Sequence, residues 1–294
     1  MANTVEEYLA ELRTVLAGSD PALVQDALYD AEDFLRSAIA ENGNTPEGVA
    51  AAIDAYGTPE EIASAYRDAE ATAAVVLRPP TRRPATTWWG QFFGIIGDPS
   101  AWGALFYMLL SLATGILYFT VVTTGLSVVF GTIILIVGIP LALLFIAAVR
   151  AISLAEGRLV EGLLGVRMPR RPRMVHTGNM WERVKGWFTD YRTWTTMLYM
   201  LLQLMLGIIY FTLVVTGLAT SIALFVWPFA QVAFDVTFVR GLDYGYYLYP
   251  WAMPFVMIGG VLLFFGTLWM AKGVGYLHAQ YAKVMLVGRT EGGA

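Results

Sequence analysis

The chain has 294 residues, of which 57% are hydrophobic and only 14% are charged, and it contains no cysteine. The lack of cysteine excludes disulfide bonds and thiolate metal sites, and the composition is typical of a membrane protein. Residues 1–77 carry 15 acidic and three basic side chains, whereas residues 78–294 carry eight acidic and 16 basic ones. We therefore predict an acidic N-terminal domain followed by a basic membrane domain.

Residues 1–77 are predicted to form a small four-helix domain. The start is acidic and lacks the apolar segment of a signal peptide. An apolar stripe of Tyr8, Leu9, Leu12 and Leu16 marks the first helix. The later helices begin at caps, which are Asp20-Pro21, Thr45-Pro46 and the capping box Thr58-Pro59-Glu60-Glu61.

The second helix carries an acidic face, formed by Asp26, Asp30 and Asp33 at positions i, i+4 and i+7. A solvated face is the simpler interpretation, and a docking surface for a partner protein is the functional one. The acidic charge of this domain argues against direct binding to nucleic acid or to anionic lipid, since both need lysine and arginine.

The motifs Tyr8-Leu9-x-x-Leu12-Arg13 and Tyr56-Gly57-Thr58-Pro59-Glu60-Glu61-Ile62-Ala63 flank that acidic helix. In this order they resemble the bacterial HAAS signalling domain, over roughly residues 4–70. The resemblance implies a cytoplasmic domain without catalytic residues, fused to membrane segments and often encoded beside a PadR-like transcriptional regulator.

Residues 78–87 form a linker rich in proline and arginine, and an internal duplication follows it. Trp102–Leu126 and Trp194–Leu218 are identical at 15 of 25 positions at an offset of 92. Neither copy contains an ionisable side chain other than tyrosine, and each is long enough to cross a bilayer core of ~30 Å.

Each repeat is predicted to hold two spans, giving an all-α membrane domain with repeats at residues 88–177 and 178–294. The turn of the first repeat is expected near Thr124-Gly125, and Gly138-Ile139-Pro140 is read as a kink. Residues 151–167 and 273–289, which correspond at an offset of 122, are predicted to be interfacial amphipathic helices. The second repeat also carries an extra tyrosine-rich segment at about 219–253.

Tryptophan-rich segments before each repeat are predicted to be short interfacial helices, with Asp98 and Asp190 capping the spans that follow. If the N-terminus is inside the cell, 15 basic residues lie inside and only Arg240 lies outside. This places both ends in the cytoplasm and orients the two repeats alike. The cytoplasmic face would then include Arg167, Arg170, Arg171 and Arg173. Through the attraction of opposite charges, we expect the acidic face around Asp26, Asp30 and Asp33 to rest on this basic face; the competing view is that the acidic face only keeps the domain off the membrane.

Polar side chains recur within the duplicated spans. They predict an intramembrane polar belt, which comprises Tyr118, Thr120, Thr124, Tyr210, Thr212 and Thr216. Threonine can also bond to its own helix, which leaves the belt as one of two interpretations. The two histidines, His176 and His278, are read as solvated or interfacial. No enzyme motif is found, and no cofactor or metal site is predicted.

The membrane half resembles the sensor domain found at the front of some actinobacterial histidine kinases, over about residues 88–289. The resemblance rests on Asp98-Pro-Ser-Ala-Trp102 followed by Tyr107, on Asp190-Tyr-Arg-Thr-Trp194 followed by Tyr199, and on Leu163-Leu164-Gly165-Val166-Arg167-Met168-Pro169. No dimerisation histidine or ATP-binding segment accompanies it, so we expect any signal to pass to another protein.

Together these features predict a non-enzymatic sensor or regulator of the bacterial inner membrane. Its expected partners are the lipid bilayer and a cytoplasmic regulatory protein such as a PadR-like regulator, with homo-oligomerisation left open. The alternative is a membrane-embedded binder, or a transport accessory subunit, for an apolar or lipid-like molecule. Spans without carboxylates or bases would disfavour coupled transport.

Overall fold

The computed structural model describes residues 4–43, 45–76, 87–132, 138–171, 189–237, 239–240 and 245–287. The predicted all-α architecture is confirmed: a small helical domain precedes four helices long and apolar enough to cross a membrane. Most of the linker, Arg173 and His176 lie outside the described residues, as does the tryptophan-rich segment before the second repeat.

The acidic domain, residues 4–76, contains the four predicted helices. They are α1 (Val5–Val15), α2 (Pro21–Asn42), α3 (Pro46–Tyr56) and α4 (Pro59–Val76). The predicted caps form, since Asp20 accepts the Ala22 amide and Thr58 exchanges two hydrogen bonds with Glu61. The core is apolar, and its largest fully buried side chains are Tyr8, Leu12, Leu16, Leu23 and Leu35.

The membrane bundle is formed by four long helices. They are α6 (Pro99–Thr132), α7 (Gly138–Leu164), α8 (Tyr191–Phe234) and α9 (Met253–Ala282), which a π-helical turn continues over Lys283–Val287. The 44 residues of α8 span about 66 Å, which is far more than a bilayer core of ~30 Å. This helix therefore extends well beyond the apolar layer.

Three predicted boundaries are wrong. No turn forms at Thr124-Gly125, because α6 continues to Thr132. The Gly138-Ile139-Pro140 sequence starts α7 rather than kinking a span, as suits a proline in the first turn. The described parts of segments 151–167 and 273–289 are mostly continuations of α7 and α9, not separate interfacial helices.

The extra segment of the second repeat first lengthens α8 and then forms a short hairpin. Strand β1 (Val239–Arg240) pairs antiparallel with β2 (Gly245–Tyr246). The side-chain amide of Gln231 on α8 both donates to and accepts from the backbone of Leu248, at 2.9 Å each. The aromatic rings after the hairpin are exposed, and they belong to Tyr247, Tyr249 and Trp251.

The two repeats meet where α6 crosses α8, through a reciprocal pair of glycines at the offset of 92. A Cβ on Gly115 would lie 2.7 Å from the carbonyl oxygen of Gln203, and one on Gly207 would lie 2.4 Å from that of Ser111. Such close backbone contact is possible only for glycine, and small residues allow helices in lipid to pack tightly. The sequence repeat is thus also a packing repeat.

A short helix, α5 (Trp88–Gly94), precedes α6 and exposes Trp88 and Trp89, as expected of a helix at headgroup level. Asp98 caps α6 through the Ser100 amide and also pairs with Lys272 of α9, whose Nζ lies 2.6 Å from its carboxylate. Burial alone would raise the pKa of Asp98, but the hydrogen bonds from Lys272 and Ser100 lower it.

Candidate functional site

A buried carboxylate lies at the centre of the bundle. Glu156 of α7 is fully buried, and its Oε1 accepts hydrogen bonds from the hydroxyls of Tyr107 and Tyr199, at 2.6 and 2.7 Å. Its Oε2 accepts the hydroxyl of Tyr118 at 2.7 Å. Among the described residues these three tyrosines are its hydrogen-bond donors. Phenolic hydroxyls replace the water that a carboxylate loses on burial.

A buried histidine adjoins the same hydroxyls. His278 of α9 is 2% exposed, and its Nε2 lies 2.6 Å from the Tyr107 hydroxyl and 3.1 Å from that of Tyr199. Its Nδ1 lies 3.2 Å from the hydroxyl of Tyr210. We call the whole group the tyrosine cluster, and it comprises Tyr107, Tyr118, Glu156, Tyr199, Gln203, Tyr210, His278 and Tyr281.

The cluster follows the internal repeat. Tyr107 and Tyr199 correspond at the offset of 92, and so do Tyr118 and Tyr210. Glu156 and His278 correspond at the offset of 122. The duplication therefore places an acid and a base at equivalent positions, each surrounded by tyrosines from both repeats.

Sequence reasoning found only part of this cluster. It picked out Tyr118 and Tyr210, and the structure buries the first of them fully and the second partly within the bundle. His278 is buried, so its interpretation as solvated is wrong, and Glu156 and His278 lie on the same long helices as the second span of each repeat. Sequence reasoning missed them because α7 and α9 continue through the segments that it took as surface helices. The alignment of those segments already paired Glu156 with His278.

The threonines of the predicted belt do not face the bundle. Their side chains are exposed on its outer surface, and they are Thr120, Thr124, Thr212 and Thr216. The hydroxyl of Thr120 donates to the carbonyl oxygen of Ile116 at 2.7 Å, within its own helix. Back-bonding of this kind satisfies threonine in lipid without a partner helix, so the threonine part of the belt is corrected.

A second polar site joins the acidic domain to the bundle through the docking segment, residues 167–171, which follows α7. Oδ1 of Asp26 accepts the backbone amides of Arg170 and Arg171, both at 2.9 Å. Its Oδ2 lies 3.5 Å from Nη2 of Arg167. A helix-surface carboxylate thus binds two amides and a guanidinium of the membrane domain.

Further contacts surround Asp26. Nε of Arg171 lies 2.9 Å from Oδ1 of Asp30, and its carbonyl oxygen accepts the side-chain amide of Gln25 at 2.9 Å. Beyond α9, Nζ of Lys283 lies 2.5 Å from Oδ2 of Asp20. Asp33, the third residue of the predicted acidic face, is exposed.

The contacts of Asp26 are expected to contribute most to docking. Its side chain is 7% exposed, and hydrogen bonds to a charged group stabilise by roughly 1.5–3 kcal/mol each. The pair of Asp30 with the half-exposed Arg171 is expected to contribute under about 1 kcal/mol. Burial raises the pKa of Asp26, although the hydrogen bonds from the Arg171 and Arg170 amides and the charge of Arg167 oppose the change.

A cleft lies between the docked domain and the bundle. Gln25 of the acidic domain lines it, together with bundle residues, which include Arg150, Ser153, Asp190, Arg192 and Thr196. Ser153 lies one helical turn before Glu156, and Thr196 lies one turn before Tyr199. The lining of the cleft thus includes near neighbours of the tyrosine cluster along α7 and α8, but none of the cluster's own residues.

Comparison with known proteins gave one family. A family model described as "Putative sensor" matches residues 107–286, which is more than half of the chain. The match begins at Tyr107 and contains every residue of the tyrosine cluster, but it does not reach the acidic domain. No curated protein and no solved structure matches the chain.

Proposed function

Because this chain belongs to the sensor family, we propose that it is a non-enzymatic sensor of the bacterial inner membrane. In this proposal it relays a membrane or envelope signal to a cytoplasmic partner through its acidic domain. The observation that carries the proposal is the docking of Asp26 on the amides of Arg170 and Arg171. A contact at the end of a membrane helix is suited to report on movement of that helix.

The chain path supports the relay. α7 carries Glu156 and ends at Leu164, where Gly165 adopts a left-handed conformation with φ of 72°. The docking segment begins two residues later. On the other side, the turn after α9 carries Lys283, which pairs with Asp20. Tilting or sliding of either helix would therefore pull directly on a contact with the acidic domain.

The docked state covers part of the surface predicted to recruit a partner. Asp26 is buried against the docking segment, and Asp30 is engaged by Arg171 and by the hydroxyl of Tyr66. In this proposal the docked domain is silent, and its release exposes the two carboxylates. A partner with a basic surface, such as a PadR-like regulator, would then bind the freed face of α2.

The distribution of basic residues supports a cytoplasmic location for this junction. The resemblance of residues 4–70 to the HAAS domain supports the same placement, and it remains a prediction. The alternative, a binder of an apolar or lipid-like molecule, predicts an apolar cavity between the repeats. In the described part of the bundle that place holds the tyrosine cluster and the contact between Gly115 and Gly207.

The test changes Arg171 to glutamate, which places a carboxylate beside Asp30. We expect the undocked fraction of the acidic domain to rise, because repulsion replaces attraction between residue 171 and Asp30, while the backbone amides that bind Asp26 remain. In this cysteine-free chain, spin labels on Ser37→Cys and Gly162→Cys report the separation in lipid nanodiscs. Both positions are exposed, and a side chain at Gly162 meets open space.

The matched control is Arg158→Glu, which makes the same charge change at an exposed position of α7. In the source bacterium, Arg171→Glu should change gene expression, the control should not, and deletion of the acidic domain should abolish the effect. Release of the domain with an expression profile equal to that of the control would rule out the relay.

A further inference from the structure

The tyrosine cluster fixes the position of one proton. Each tyrosine hydroxyl has a single hydrogen to donate. Tyr107 and Tyr199 donate theirs to Oε1 of Glu156, so their contacts with Nε2 of His278 need a hydrogen from the histidine. Nε2 therefore carries a proton whenever Glu156 is ionised. The histidine is then held as the Nε2–H form or as the doubly protonated ion.

The other ring nitrogen decides the charge of the cluster. Nδ1 of His278 faces the hydroxyl of Tyr210, which can either donate to it or accept from it. With no hydrogen on Nδ1, the cluster holds a carboxylate and a neutral imidazole, and its net charge is −1. With a hydrogen there, the imidazolium balances the carboxylate. One proton thus separates an anionic cluster from a neutral one.

A net charge at this depth is expensive. Removing a carboxylate from water costs several kcal/mol unless a partner compensates, and the bundle interior offers little solvent. In the described part of the chain, Glu156 accepts no hydrogen bond from lysine or arginine. The compensation available within the cluster is the proton on His278.

The network can hold that proton in two ways. In one form Glu156 is ionised and His278 is doubly protonated. In the other, Glu156 donates its proton to Tyr107 while the Tyr107 hydroxyl donates to Nε2, so that both side chains are neutral. The two forms differ by a concerted shift of two hydrogens, and no atom has to leave. Gln203 donates to Tyr107, and its Oε1 is buried without a hydrogen-bond partner in the described structure.

The titratable groups around this proton come from all four helices. They are Tyr107 and Tyr118 on α6, Glu156 on α7, Tyr199 and Tyr210 on α8, and His278 and Tyr281 on α9. Free tyrosine ionises only near pH ~10, which leaves Glu156 and His278 as the acid and the base of the cluster. The cleft places solvent-accessible space beside Ser153 and Thr196, which lie one helical turn before Glu156 and Tyr199.

From this geometry we propose that the tyrosine cluster is a proton-binding site, in which Glu156 and His278 share one exchangeable proton through Tyr107. The proton is taken up from water in the cleft and returned to it. The second part of this proposal rests on the proposed function above, and it is that the proton also controls docking of the acidic domain. The neutral cluster favours the docked state.

The direction of this control follows from charge and hydration. Loss of the proton leaves a charge of −1, which attracts water towards the cleft that Gln25 of the docked domain helps to line. The same charge repels a domain with 15 acidic and three basic side chains in residues 1–77. Deprotonation therefore favours release, and acidification favours docking. Linkage of one proton changes the docking constant by at most about tenfold per pH unit.

The experiment uses the full chain in lipid nanodiscs between about pH 4 and pH 9, which brackets the ordinary range in which histidine changes charge and extends below it. Difference infrared spectroscopy follows protonation of Glu156 and His278, and the spin labels at positions 37 and 162 follow docking. We expect both signals to share one midpoint, with the labels further apart at the higher pH. Glu156→Gln and His278→Gln should each remove the common transition, and both replacements keep hydrogen-bonding groups.

Asp26→Asn tests the acidic group of the docking contact, and its loss of charge is expected to weaken docking. The infrared transition of Glu156 and His278 should survive this change. Absence of titration at Glu156 and His278 would overturn the proton site. Titration in the unsubstituted protein without a change in label separation would overturn its control of docking. An infrared transition that disappears only in Asp26→Asn would assign the pH response to the junction. Release by Arg171→Glu tests the proposed function separately in every case.

Discussion

The two cores of this molecule are built on different principles. The acidic domain packs leucine and tyrosine side chains such as Leu12 and Tyr8 into an apolar centre, whereas the bundle places Glu156, His278 and four tyrosine hydroxyls in its middle. In water, burial of apolar surface drives folding. In lipid this drive is absent between helices, and close packing and hydrogen bonds hold them together. The same side chain should therefore have unlike effects in the two regions.

The largest expected effect is in the acidic core. Leu12→Ala removes a fully buried side chain and should destabilise the acidic domain by about 2–5 kcal/mol, since lost burial and a cavity add. Leu117→Ala, on the exposed outer face of α6, is the matched control and should change the bundle little. Hydrogen exchange of α1 and of α6 in lipid nanodiscs measures both. Equal losses would contradict the contrast between the two cores.

The next effect tests packing in the bundle. Gly207→Ala places a methyl group 2.4 Å from the carbonyl oxygen of Ser111, so the two helices have to separate. We expect a loss of about 1–3 kcal/mol, the usual range for overpacking. Gly259→Ala is the control, because a methyl group there meets no atom within 4 Å. Thermal unfolding in detergent compares the two variants, and equal midpoints would contradict the glycine contact.

The same contrast explains what the sequence could predict. In the acidic domain, each helix has an apolar face and a polar face, and N-terminal caps such as Asp20 and Thr58 mark where helices begin. Helix starts and the apolar core were therefore readable in advance. In the bundle, α6 is apolar on every side, so hydropathy indicates a span without indicating which face is buried. For this reason the predicted polar belt wrongly placed the threonines towards the bundle interior and did not include Glu156.

The internal repeat pairs more residues of the tyrosine cluster than the sequence analysis recognised. The offsets of 92 and 122 pair Tyr107 with Tyr199 and Glu156 with His278, but an alignment does not show which pairs meet in space. That depends on the continuity of α7 and α9 through their amphipathic ends, where charged and apolar residues mix. The docking of Asp26 was equally indicated only as an attraction between charges. Its backbone amide partners follow from the chain path after Gly165.

The smallest expected effect concerns two threonines with the same hydrogen bond and opposite surroundings. The hydroxyl of Thr120 donates to Ile116 and is exposed on the outer face, whereas that of Thr267 donates to Leu263 and is buried at 3% exposure. Thr120→Leu should change bundle stability by less than about 0.5 kcal/mol, as is usual for surface substitutions. Loss of the Thr120 hydroxyl removes one donor from the carbonyl oxygen of Ile116, which is already bonded within the helix.

Thr267→Leu is the matched comparison, because Thr267 packs against Gly217 so closely that a Cβ on that glycine would lie 2.6 Å from its hydroxyl oxygen. The larger leucine has to push α8 away and should cost about 1–3 kcal/mol. Thermal unfolding in detergent again provides the measurement. If Thr120→Leu were the more damaging of the two, Thr120 would face a partner helix after all, and the inward polar belt would have to be restored. If Thr120→Leu leaves the stability unchanged and Thr267→Leu lowers it, the neighbour of Thr120, the threonine of the repeated Tyr-Phe-Thr sequence, is lipid rather than the second repeat.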